Sequence, residues 1–303
     1  MLGRDICRWL QRKVGKTWEE SRKVVSGGRL VWYTGRPDVE LWTEHWGKIP
    51  LENLLRAADR GNYPYRALLQ KVLLRDRLVI EAGCGPGHIV LGLQRDGFDV
   101  IGIEWSRTVV ERVKAIAPDC RIRQGDVLRL DIDDGWAGSC ISLGVVEHFR
   151  EGPDRALTEA NRVLMPGGCL VLAVPYFNPW REWKARYELY PKPPAPPSLA
   201  EFYQYAFSER EMSDYLRRFG FTVTSTEFLE ALLGIGWECG RLDQWLRRFE
   251  PTKKLLGLSE HLGPIRRLFG HNSVFIARKT MSVSDSKSTT DRDAHVELRG
   301  HES

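Results

Sequence analysis

A doubly wound α/β fold, with a mostly parallel seven-stranded sheet, is what this sequence predicts. Three observations carry that prediction. Between residues 78 and 174, short apolar runs alternate with helix-length amphipathic segments, the rhythm of right-handed βαβ crossovers. The first apolar run ends in a glycine-rich turn, Gly83-Cys84-Gly85-Pro86-Gly87, that opens directly into a helical pattern. Acids stand at or just past the ends of the strands around it, at Glu81, Glu104 and Asp126. In open α/β sheets, ligands bind beyond the carboxyl ends of the strands.

Taken in order, residues 1–30 are basic and place Leu2, Ile6, Trp9 and Leu10 on one face of a helix. Such a helix packs on the domain or touches a membrane surface weakly. Residues 38–59 predict one helix, with Leu41, Trp42, His45 and Trp46 on a recurring face, and 63–74 another. Together 1–74 predict a helical cap on the domain at 75–280. Strands follow at 78–80, 98–104, 121–124, 140–145 and 169–174, with helices at 87–96, 107–117 and 154–164 between them. Residues 176–205, rich in aromatics and proline, predict an insertion outside the sheet after strand five. Ser208 caps a helix at 208–218, with Glu211 completing a capping box. A sixth strand is predicted at 221–226, a mostly helical insertion at 229–270 and a last strand at 273–277. Residues 281–303 hold serine, threonine and charge, and predict a disordered tail.

Composition narrows the function classes. The 303 residues include 42% hydrophobic and 28% charged side chains, enough to bury a core. No uncharged apolar run approaches the roughly 20 residues that cross a bilayer. Lysine and arginine exceed the acids by five, which permits anionic partners without demanding nucleic acid. The six cysteines are scattered, with no Cys-x-x-Cys pair, so neither a disulfide framework nor a zinc site is predicted. Cys140 and Cys169 fall in apolar strands, as buried free thiols would. With no apolar leader in residues 1–20, a reducing cytoplasmic setting is expected.

The chemistry lies in the strand ends. Glycines at 83, 85 and 87 let the backbone approach a ligand where a side chain would clash. Glu104 is placed to accept both hydrogen bonds of a ribose diol. Asp126 is placed to accept from an exocyclic adenine amine. Glu81 is suited to a cationic amino group. Two nucleotide-like ligands compete. A dinucleotide site needs Gly-x-Gly-x-x-Gly, with the pyrophosphate at a helix N-terminus. Here the sixth position is His88, and Glu81 would set negative charge beside the phosphates. S-adenosylmethionine has no phosphate and carries an ammonium for Glu81. Charge therefore favours the methyl donor over NAD.

The residues resemble class I S-adenosylmethionine-dependent methyltransferases with a Rossmann-like fold. The resemblance covers Glu-Ala-Gly-Cys-Gly-Pro-Gly at 81–87, the acid Glu104, Gly125-Asp126-Val127, Leu143-Gly144-Val145-Val146-Glu147-His148 and Arg162-Val163-Leu164-Met165-Pro166-Gly167-Gly168. It implies that Gly83, Cys84, Gly85 and Gly87 cradle the methionine end of the cofactor with Glu81. It also implies that Gly144 and Val145 line that end through their backbone. Glu104 and Trp105 are implied at the ribose or adenine, and Asp126 with Val127 at the adenine. His148 is the candidate base at the mouth of the pocket. Ubiquinone-biosynthesis O-methyltransferases resemble this segment and bind a metal through Glu-x-x-Glu-His. Here Gly144 replaces the first acid, so no metal is expected.

The expected partner is a small organic methyl acceptor, its methylated atom open. Tyr176, Trp180, Trp183, Tyr203 and Tyr205 are the aromatics expected to stack on it or on one another. The arginines and lysines of 241–279 would suit an RNA methyltransferase, but a solvated helix face is the commoner meaning of such spacing. An NAD-dependent oxidoreductase and a catalytically silent cofactor-binding protein are the other readings.

Overall fold

A computed structural model describes residues 22–33, 37–190, 202–238 and 261–281. Its central feature is a seven-stranded sheet. The strands are β3 (Val79–Ala82), β4 (Val100–Glu104), β5 (Ile122–Gln124), β6 (Ala137–Leu143), β7 (Leu164–Pro175), β9 (Phe221–Leu229) and β10 (Asn272–Lys279), in the spatial order β5-β4-β3-β6-β7-β10-β9. β3 pairs in parallel with β4 and β6, β4 with β5, and β6 with β7. β10 runs antiparallel to both β7 and β9. The chain winds outward from β3 to β5, then returns to the other side of β3 as β6. The crevice at the carboxyl ends of β3 and β6 is therefore a topological switch point.

The sheet is covered on both faces, as its near-continuous apolar strands require. Side chains alternate across the pleat. Val79, Ile141, Val171 and Val274 join one core with helices α2 (Leu51–Asp59), α3 (Arg66–Val72), α4 (His88–Arg95) and α5 (Arg107–Ile116). Ile80, Cys140, Leu170, Leu172 and Phe275 join the other, with α6 (Asp154–Val163) and α8 (Glu209–Arg218). Cys140 and Cys169 are buried free thiols, as expected.

Four expectations need correction. Residues 22–33 are a hairpin, β1 (Arg22–Ser26) and β2 (Arg29–Tyr33), within the stretch read as helical. Gly27 and Gly28 both take positive φ, the conformation of a two-residue hairpin turn whose twist matches the flanking strands. Residues 1–21, with the apolar face placed there, lie outside the described residues. The single helix over 38–59 is two, α1 (Val39–Gly47) and α2, because Pro50 lacks an N–H and disfavours helix in the residue before it. The insertion at 176–205 contributes α7 (Pro179–Arg186) and a strand, β8 (Phe202–Ala206), which pairs with β2 in a second, three-stranded sheet. Ser208 does cap α8 through Glu211 N, but the Glu211 carboxylate pairs with Arg29 of β2 and leaves the capping box half made.

The described part of the 229–270 insertion is α9 (Ala231–Glu238) and α10 (Gly263–Phe269). The expected tail falls outside the described residues beyond Met281. No helix among the described residues is long and apolar enough to cross a membrane.

Candidate active site

The turn after β3 is built on backbone that only glycine adopts comfortably. Gly83 and Gly85 sit at φ +80° and +50°. A methyl group on Gly83 would stand 2.5 Å from Cγ2 of Val145, and one on Gly85 2.7 Å from Cζ2 of Trp46. Both strain and contact oppose a side chain here. Gly83→Ala is expected to cost about 2–3 kcal/mol, combining left-handed strain with overpacking. Adding Val145→Ala should recover the contact part of that loss in urea unfolding.

Glu104, the last residue of β4, is buried, and its carboxylate ties two loops together. One oxygen accepts from Gly85 N at 2.9 Å and the other from Ser106 N at 2.8 Å. Burial nonetheless raises its pKa, with the backbone donors offsetting part of the rise. Asp126, exposed after β5, folds its own loop by accepting from Leu128 N at 2.8 Å. Trp105 is 47% exposed, which excludes a plain core role.

Beyond β6 the chain turns at Gly144, φ +71°, into a short 3₁₀ segment, Val146–His148. His148 Nδ1 lies 2.9 Å from the Tyr203 carbonyl, which can only accept. The proton is thus on Nδ1, and Nε2 keeps a lone pair. Burial brings the imidazole down to about 4, so it is neutral at physiological pH. Its ring meets Trp42 of α1 edge-on at 4.8 Å. Glu147 is buried with Oε2 unpartnered, and burial pushes its pKa up to about 8.

That shift has a signed consequence. The fold favours protonated Glu147, so its contribution to stability is complete below the unfolded value and declines as pH rises toward the folded one. Glu147→Gln is expected to flatten that decline. Wild-type stability should fall by up to about 1.36 kcal/mol for each unit between about pH 5 and 8 relative to the variant, read by urea unfolding.

Two cavities open at these strand ends. The first, 730 Å³, is lined by Glu104, Trp105, Asp126, Val127, Val145 and His148. The second, 760 Å³, is lined by Glu81, Cys84, His88, Glu147, Lys23 and His271, among others. Gly83, Gly85, Leu143, Gly144 and Trp46 belong to both and form a shared wall. Glu81 and His88 each bury a polar atom without a hydrogen-bond partner, Oε2 and Nδ1 respectively. Burial raises the Glu81 pKa well above the carboxylate range and lowers His88 to about 4.

Of the residues named from the sequence, Gly87 lines neither cavity. It packs toward Cys120 and serves the turn into α4. The five aromatics expected to meet the acceptor line neither cavity. Along β8 side chains alternate, so Phe202 and Gln204 face the cavities while Tyr203 and Tyr205 point elsewhere. Trp180 stacks on Trp183 at 5.0 Å and Tyr176 on Phe228 at 4.7 Å. Trp42 and Trp46, four residues apart on α1, were legible as a helix face and prove to line the site. Lys23, Gln204 and Asn272 come from distant strands and His271 from the bend before β10, and none carried a local signal. In the basic stretch, Arg267 pairs with Glu209 at 2.7 Å and Arg266 with Glu227 at 3.8 Å. Arg241 to Lys254 lie outside the described residues.

Residues 80–172 match the family described as methyltransferase domain. A Mycolicibacterium smegmatis protein described as a probable S-adenosylmethionine-dependent methyltransferase is 28% identical over 170 residues, 55% of this chain and 60% of its own. Residues 80–172 are thus a class I S-adenosylmethionine-dependent methyltransferase domain. The methyltransferase domain is also similar to the demethylmenaquinone methyltransferase of Beutenbergia cavernae, 34% identical over 114 residues, covering 37% of this chain and 46% of that one. The chain thus spans less than two thirds of these curated relatives. Among solved structures, a chain from the Haloferax volcanii complex of the Trm112 methyltransferase activator with a methyltransferase superposes with a TM-score of 0.51. It shares 16% identity and covers 79% of this chain and 97% of that one, a likeness of fold. The cofactor of the methyltransferase domain is S-adenosylmethionine.

Proposed function

We propose that this chain transfers the methyl group of S-adenosylmethionine to a small organic acceptor seated in the second cavity. The observation that carries the reading is the shared wall, where a cavity flanked by Glu104, Trp105 and Asp126 meets one holding Glu81 and Glu147. The residues fit the cofactor. Glu81 has a buried carboxylate oxygen without a partner, which a cationic α-ammonium would satisfy. Each Glu104 oxygen accepts one amide and keeps a lone pair for a ribose hydroxyl. Trp105 offers an exposed apolar face, and Val127 an apolar edge beside Asp126, for a flat base. Gly83, Cys84, Gly85, Gly144 and Val145 would border the amino-acid end.

When bound, the sulfonium supplies an electrophilic methyl carbon. The chain's task is then alignment and exclusion of water, which supply roughly 7–11 kcal/mol in favourable cases. His148 Nε2, held in the basic tautomer by Tyr203, lines the first cavity and would accept a proton from a hydroxyl acceptor that reaches the shared wall, or from the ammonium formed once an amine is methylated. His148→Gln is expected to lower kcat about 10²-fold and move KM little, with steady-state rates as the check.

Calorimetry with S-adenosylmethionine, S-adenosylhomocysteine and NAD tests the reading, together with transfer of labelled methyl to metabolite extracts. Binding of the two sulfur compounds but not NAD is expected, with label entering a small molecule. Absence of donor binding at millimolar concentration would defeat it.

A further inference from the structure

Beside the second cavity lies a cluster that carries more positive charge than the described residues around it neutralise. Glu238, the last residue of α9, is buried, and all its lone-pair directions are engaged. Oε1 accepts from Lys23 Nζ at 2.9 Å and Arg181 Nε at 3.0 Å, and Oε2 from Lys184 Nζ at 2.7 Å and Tyr190 O–H at 2.9 Å. Three cations therefore share one carboxylate. Arg181 is fully buried, and Lys23 and Lys184 keep only 15% and 18% of their side-chain surface. Uncompensated charge at such depth is costly and calls for a second anion. Among the described residues none is found in this cluster.

Two donors of the cluster line the cavity, Lys23 and His271. Arg181 Nη2 lies 2.9 Å from His271 Nδ1 and can only donate. His271 Nδ1 is therefore the acceptor, and its proton sits on Nε2, the ring's remaining donor. Lys23 gives one proton to Glu238 and one, at 3.4 Å, to the Trp237 carbonyl, so a third is left to give. Burial and repulsion from Arg181 and Lys184 bring its pKa down to about 8 despite Glu238, which is how an under-compensated ammonium behaves.

Resting on the reading that this cavity seats the methyl acceptor, we propose that the acceptor is an organic acid whose carboxylate lies against Lys23 and His271. The other acids of the cavity agree with that orientation. Glu81 and Glu147 belong to the ends of β3 and β6, at the donor side, and both are held toward their neutral forms by burial. Glu230 also lines the cavity, where it accepts from Asn272 Nδ2 at 2.9 Å. Lys23 Nζ and His271 Nε2 together offer two donors, one for each oxygen of a carboxylate. His45 and His88, lowered by burial, are neutral and add no charge.

The probe pair is 2-naphthoate and 2-naphthamide, equal in shape and different in charge, titrated into the full chain saturated with S-adenosylhomocysteine. Naphthoate is expected to bind at least about tenfold tighter than the amide, as a charge-assisted contact exceeds a neutral one. Lys23→Met should erase the preference and Lys23→Arg should keep it. Equal affinities, no binding of naphthoate at millimolar concentration, or a preference that survives Lys23→Met in a folded variant would each overturn the proposal. The comparison in the wild-type protein stands even if Lys23→Met does not fold. Saturation with S-adenosylhomocysteine, measured first, reports separately on the cofactor reading. Its failure would remove that reading, whereas its success with no naphthoate preference would remove only this one.

Discussion

Glu104→Ala should weaken S-adenosylhomocysteine binding by about 10²–10³-fold and lower stability by about 2–4 kcal/mol, because two buried amides lose their acceptor. The carboxylate holds Gly85 N and Ser106 N at once, so it fixes the glycine turn against the end of β4 and keeps spare lone pairs, which the proposed function assigns to a ribose. Glu104→Gln separates the two roles. Its single carbonyl oxygen can serve one amide, and its NH₂ faces the other donor to donor. Stability should fall for both variants, and affinity should fall further for alanine. Calorimetry and urea unfolding of the pair check this. Unchanged affinity in a folded alanine variant would remove Glu104 from the cofactor site.

The second large effect concerns Glu238. Removing it by Glu238→Ala strands Lys23, Arg181 and Lys184 in a buried cluster, and such a loss costs about 3–5 kcal/mol. That figure is the cost of breaking the network and exceeds the worth of forming it. The partners show why. Three cations hold the Glu238 carboxyl well below the usual range against its own burial. Lys23, by contrast, loses more to burial and to its neighbouring cations than Glu238 returns. The depressed carboxyl contributes stability that is present above the unfolded value, near 4.3, and lost as pH falls through the folded one. Urea unfolding should show a large loss at neutral pH for the variant, and a gap from wild type that narrows on acidification. A variant as stable as wild type at neutral pH would contradict the network's role.

The strands of the parallel half were legible because they are short apolar runs separated by turn residues. Their parallel pairing followed from the βαβ rhythm. Glu81, Glu104 and Asp126 could be placed at strand ends because strand length sets where an acid falls. What escaped reading depended on distance or on competing signals. Gly27-Gly28 between Val24-Val25 and Leu30-Val31 is a hairpin signal, but the basic, helix-compatible flank outweighed it. Pro50 was a sufficient reason to break the 38–59 helix. The aromatics of 176–205 suggested stacking on a ligand. Pairing of β8 with β2, which no local pattern announces, turned Phe202 and Gln204 to the cavities instead. The cluster of Lys23, Arg181, Glu238 and His271 joins residues up to 248 positions apart, and only the folded chain brings it together.

The most direct test is a crystal structure of the chain with S-adenosylhomocysteine. The account predicts the ribose diol on Glu104, the amino group at Glu81, the base beside Trp105 and Asp126, and the sulfur facing the cavity that holds Glu147 and Lys23. A ligand seated elsewhere, or one that leaves Glu81 and Glu104 untouched, would contradict it.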